Sequence, residues 1–193
     1  MIEKIYDWML KQAESKNAAR VLMLVSFIES SFFPLPPDPV LAIVVAKNKD
    51  KAIHYALLCT IASVLGGFLG YYIGYAFFEL IGSKILSFYG QTEKFNDIAI
   101  TLNKWAFWII CAKGLTPIPY KIVTIASGFA KIDLLVFGIA SLITRSTRFL
   151  LLSFICKMFG EQFLAFMEKH KKVTLLLIIG SVIVGFLLVK LFI

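Results

Sequence analysis

Apolar residues in this chain come in long runs separated by short polar breaks. Residues 53–78, IHYALLCTIASVLGGFLGYYIGYAFF, and residues 134–156 each predict a helix able to cross a bilayer, which takes roughly 20 apolar residues. Residues 173–193 form a third such run. Two more runs, 20–46 and 105–130, are apolar but interrupted, the first by ESSFFPLPPDP (29–39) and the second by KGLTPIPYK (113–121). KNKDK (47–51) is a polar break, 79–104 predicts a polar connection with an interfacial helix, and EQFLAFMEKHKK (161–172) reads as a linker. In residues 1–19, Ile2, Ile5, Tyr6, Met9 and Leu10 share one helix face opposite lysines and acids. That pattern predicts an interfacial amphipathic helix rather than a removable signal peptide.

The two interruptions echo each other. Pro34 and Pro117 are 83 residues apart, as are Pro36 and Pro119, Asp50 and Asp133, and Ser63 and Ser146. The same offset sets Asp38 opposite Lys121. A proline removes a backbone donor and disfavours helix in the residue before it. Irregular backbone cannot face lipid, so the breaks at Pro34, Pro36, Pro37, Pro117 and Pro119 must be covered by protein or open on a polar cavity. The expected fold is an all-α integral membrane protein built of two structural repeats, each a broken hairpin followed by a membrane helix, and a C-terminal transmembrane helix. The expected domains are 1–19, a membrane domain 20–157 (repeats 20–78 and 105–157), and a linker with final helix, 158–193. Charge does not decide between hairpins that return and segments that cross, because Lys and Arg divide between the two sides identically in both arrangements. Either way the N-terminus lies on the positive side, expected to be cytoplasmic.

Composition strengthens the membrane reading. Of 193 residues, 59% are hydrophobic and 17% charged, with a mean hydropathy of +0.83. The net charge of +8 comes mainly from lysines in the breaks, which suits anionic head groups and not nucleic acid. Cys59, Cys111 and Cys156 stand singly in apolar runs, and His54 and His170 have no ligand-like neighbours, so neither a metal nor a cofactor is expected. No nucleophile, metal or nucleotide motif points to an enzyme. Gly66, Gly70 and Gly74 recur every four residues, a stripe suited to close helix packing.

Six ionisable residues lie in or beside apolar runs: Glu29, Asp38, Lys113, Lys121, Arg145 and Arg148. Each costs about 2.5–3.5 kcal/mol at the centre of a membrane helix unless it meets a partner, water or substrate. Two readings are open. The charges pin the two repeats together as ion pairs, or the carboxylates Glu29 and Asp38 take up protons while the four cations receive a phosphate. Arg145 and Arg148, three apart, share one helix face.

SFIESSFFPLPPD (26–38), GGFLGYYIGY (66–75), KGLTPIPYKIVTIASG (113–128) and TRSTRF (144–149) together resemble the DedA, or VTT-domain, superfamily of membrane proteins, especially its YqaA-like branch. The resemblance covers about residues 5–160. It implies re-entrant hairpins in an inverted repeat and a lipid flippase or scramblase, acting on undecaprenyl phosphate or phospholipid, often coupled to protons. It implies location in the bacterial inner membrane, with anionic phosphate-bearing lipids as partners and a homo-oligomer as an open option. The family's acidic pair maps onto Glu29 and Asp38. Where many members carry two arginines around the second break, this chain has Lys113 and Lys121. A membrane scaffold or assembly factor for envelope homeostasis is the alternative.

Overall fold

The computed structural model describes residues 17–31, 37–114 and 119–169. Pro34, Pro36 and Pro117, the segment 1–16 and the apolar run 173–193 lie outside the described residues, as does the Lys113 side chain. Seven α-helices and no strand occur among the described residues: α1 Ala18–Ser31, α2 Pro37–Lys47, α3 Ala52–Phe77, α4 Ser83–Phe88, α5 Thr92–Gly114, α6 Tyr120–Phe129 and α7 Leu134–Lys169.

Local chemistry explains several boundaries. Pro37 opens α2, a position where its missing N–H is not needed. Pro119 is the N-cap of α6, with φ near −56°. Lys131 takes the left-handed conformation after α6 (φ 52°), and Ile132 N–H closes back on Ser127 O, a Schellman-type stop. Asp133 then caps α7, its carboxylate accepting from the N–H groups of Leu135 and Val136. Its counterpart Asp50 does not cap α3, which begins after Lys51 without a side-chain cap.

Two boundaries differ from the sequence expectation. The 79–104 region is a π-helical turn (Phe78–Gly82), the short α4, a turn through Gly90, and then α5, which continues unbroken past residue 105. No proline or glycine interrupts Thr92–Lys113, so nothing stops that helix earlier. Likewise α7 runs through 157 and 158 to Lys169.

The 83-residue echo reappears in the helices. Adding 83 to the first residue of α2 gives Tyr120, the first residue of α6, and adding it to the first of α3 falls one residue into α7. Packing is crosswise. The short helix of each half lies against the long helix of the other, α2 on α7 and α6 on α3, while α1 packs on α3 and α5 on α7. Individual contacts follow the exchange. Ala46 meets Gly160, and the pair with both numbers shifted by 83 in opposite senses, Phe129 and Phe77, are ring neighbours 6.3 Å apart.

α3 and α7 run antiparallel, since Phe68 and Tyr71 stack on Phe137 near the start of α7 while the start of α3 lies beside Lys157. Their inward faces are rich in small and polar residues, with Phe137 and Phe149 buried on α7, and their outward faces are apolar: Ile53, Leu57, Ile61, Leu65 and Leu69 on α3, and Leu135, Ile139, Leu142 and Ile143 on α7, are all exposed. Water does not favour so continuous an exposed apolar surface, whereas hydrocarbon does. Lys49–Phe88 and Leu134–Gly160 are both long and apolar enough to cross a bilayer. The protein is membrane-associated.

Candidate functional site

Glycine and serine set the distance between helices at the centre. A Cβ on Gly66 would overlap the Phe27 carbonyl of α1, and one on Gly74 would overlap the Ile125 carbonyl of α6. At Gly70 it would strike the Thr124 hydroxyl, and at Gly67 it would lie 2.7 Å from Tyr120 Oη. The row therefore admits two other helices at backbone contact. Serines of α1 spaced along the same face then bond across. Ser26 Oγ donates to Cys59 O at 2.9 Å, Ser31 Oγ donates to Gly66 O at 3.1 Å, and the hydroxyls of Ser30 and Ser63 lie 2.6 Å apart.

Arg145 of α7 completes this network. Its Nε donates to Ser63 Oγ at 2.6 Å, and its Nη2 reaches Glu29 Oε2 at 3.3 Å. The guanidinium carbon lies over the rings of Tyr120 (4.7 Å to the centroid) and Phe149 (4.6 Å), so π-systems adjoin the cation where it meets the carboxylate. Only 4% of the Arg145 side chain is exposed, against 16% for Glu29. One turn on, Arg148 Nη2 is paired with Asp38 Oδ2 at the start of α2. This second pair is more open, with 39% of Arg148 and 31% of Asp38 exposed.

Both acids come from the first half of the chain and both arginines from the second. Asp38 is bound to Arg148, not to its repeat counterpart Lys121. Lys121 stands half-buried on α6, where its charge acts on Glu29. Lys113 ends up in the last turn of α5. Ser63, which Arg145 meets, lies near the middle of α3: at 1.5 Å per residue it is about 16 Å and about 21 Å from the two ends. Three buried polar atoms around the pairs, Asp38 Oδ1, Tyr120 Oη and Ser141 Oγ, lack a well-formed hydrogen bond among the described residues, although the last two are close enough to interact with each other. Such atoms at a polar site are where water or a ligand oxygen is accommodated.

Ser30, Ser63, Tyr120 and Phe149 were not singled out by the sequence as site residues. Ser26 and Ser30 do carry a signal, their four-residue spacing on an apolar helix. Tyr120 carries none, because only the exchange of α6 onto α3 brings it to Arg145. Among the described residues no group of three His, Cys, Asp or Glu could hold a metal.

The model of the VTT domain matches residues 35–158. A Haemophilus influenzae protein is 28% identical over 186 residues, covering 96% of each chain. A Histophilus somni protein is 34% identical over 162 residues, covering 83% of this chain and 84% of its own. Both relatives carry the description uncharacterized. No solved structure matches. The chain belongs to the VTT-domain, or DedA, family, whose members are membrane-associated and linked to transport.

Proposed function

From that membership we propose that the protein is a lipid translocase, without catalytic chemistry, that carries the phosphate of an anionic lipid past the Asp38–Arg148 pair. One observation supports this most: an arginine partway along α7, part-exposed, whose anionic partner is a carboxylate. A phosphate presents the same charge and a matching edge to a guanidinium, so it can take the place of Asp38. Protonation of Asp38 would release Arg148 to the phosphate, and loss of that proton would expel it, which supplies a route to proton coupling. Glu29 and Arg145, closed in by Tyr120 and Phe149, form the fixed wall, while Lys121 and Lys113 add positive potential. The tail of undecaprenyl phosphate or a phospholipid stays in the bilayer. The two halves act as an inverted repeat with re-entrant hairpins α1–α2 and α5–α6 in the bacterial inner membrane, N-terminus cytoplasmic.

The test is transport of fluorescent lipid phosphates in proteoliposomes. Arg148→Gln and Asp38→Asn are expected to abolish the proton-dependent rate while leaving the protein folded. Parental rates in both would sink the proposal.

A second reading, a membrane scaffold, is favoured by a specific observation: both ion pairs join opposite halves, as staples would. The exchange Asp38→Arg with Arg148→Asp separates the two. A staple survives reversal and retains cellular function, whereas a phosphate site moved onto α2 loses transport.

A further inference from the structure

Beside the ion pairs, and separate from them, the start of α3 and the second half of α7 enclose a groove of about 790 Å³. Its walls are apolar: Ile53 from α3, and Leu150, Leu151, Phe154 and Met158 from α7. Thr147 marks its inner end, next in sequence to Arg148. Lys157 lies about 15 Å further along α7. Lys157 is exposed and makes no ion pair with a described residue. Ser153, 2% exposed, also lines the groove, and its hydroxyl has no partner. A buried hydroxyl without an acceptor or donor is costly, and a serine in a membrane helix ordinarily bonds back to its own chain.

We infer that this groove is a docking site for one anionic lipid, its headgroup phosphate on Lys157 and its chain laid along α7 toward Thr147. Charge complementarity selects this occupant. An unpaired cation stands at the end of the groove nearest the KNKDK break, where headgroups lie, and the remaining length is hydrocarbon-lined. The α3 N-terminus, which no side chain caps, adds its positive end at the same place. The role of the groove as a waiting position rests on the translocase reading, because its inner end opens at the level of Arg148. Its occupancy does not rest on that reading.

The experiment uses the full chain in vesicles of phosphatidylcholine with one-fifth phosphatidylglycerol. A trace of phosphatidylglycerol bearing a photoactivatable diazirine in its acyl chain is added, with the phosphatidylcholine analogue as control. After illumination, labelled peptides are mapped by mass spectrometry. The phosphatidylglycerol probe is expected to concentrate on residues 150–158 over the equally apolar exposed face at Leu135, Ile139 and Ile143. Lys157→Gln should reduce that label about fivefold, the effect of one lysine at an anionic surface, and leave the control probe unchanged. Leu151→Trp, which fills the groove from its exposed side, should remove the label while Lys157 remains. Equal labelling of both α7 segments, or equal labelling by both probes, would mean ordinary surrounding lipid and overturn the inference. So would crosslinks between two copies at Leu151, or protection of the groove by residues 173–193 of the same chain. The Arg148→Gln protein, measured in the same vesicles, separates the two proposals: loss of transport with the groove still labelled leaves docking intact, and transport without groove labelling removes docking alone.

Discussion

Arg145 carries the most consequential set of contacts among the described residues. Burying a guanidinium is unfavourable unless it is paired and hydrogen-bonded, and here it meets Glu29 and Ser63 while the rings of Tyr120 and Phe149 adjoin it. Removing one partner leaves the other charge buried and alone. Arg145→Ala is therefore expected to cost about 3–5 kcal/mol of stability, read as earlier thermal unfolding in detergent, with Glu29→Gln combined with Arg145→Gln costing less than the two single changes summed. The same comparison for the Asp38–Arg148 pair should give a smaller penalty, since both groups there reach the surroundings. The sequence already marked all four of these residues as ionisable groups in apolar runs. It could not say which acid meets which base, because the pairs join positions 116 and 110 residues apart and nothing local encodes such distances. The repeat register pointed from Asp38 to Lys121, but register relates equivalent positions in the two halves, not positions in contact.

At the scale of the helices, glycines decide how closely α3 is approached. Gly66→Ala and Gly74→Ala each drive a methyl into a backbone carbonyl, and backbone held by neighbouring turns cannot step aside cheaply. Each should lose about 1–3 kcal/mol in the same unfolding measurement. Gly138→Ala is the internal control. Its methyl would meet the tip of the Phe68 ring at 3.0 Å, a side chain able to turn, so the loss should stay under about 1 kcal/mol. The four-residue glycine spacing was legible as a packing stripe from the sequence alone. Its partners were not, because the stripe serves two helices at once, α1 at Gly66 and α6 at Gly74. The unbroken start of α5 was hidden for a different reason. Its charged first half reads as a polar connection with a separate interfacial helix when hydrophobicity alone is weighed, although nothing in Thr92–Lys113 breaks a helix.

For the whole molecule, the antiparallel placement of α3 and α7 makes a direct statement about sidedness. With the native cysteines replaced, Asp50→Cys and Lys157→Cys should react with a membrane-impermeant maleimide from one face of the membrane, and Lys84→Cys and Asp133→Cys from the other. Labelling of all four from one face would contradict two crossing helices. Crosswise packing carries a further expectation. Chains cut in the exposed turn at Gly90 and expressed as two pieces should co-purify, while either piece expressed alone is degraded, because each short helix lacks its seat without the other half. The exchange also has a consequence for synthesis. Glu29 and Asp38 leave the ribosome 116 and 110 residues before Arg145 and Arg148. At about 5–20 residues per second, that interval is roughly 6–23 s. Throughout it the first half sits at the insertion machinery with two acids whose counterions do not yet exist. The nascent chain must therefore be held near water, or its acids kept neutral, until α7 arrives, and insertion of this protein is complete only when its second half is made.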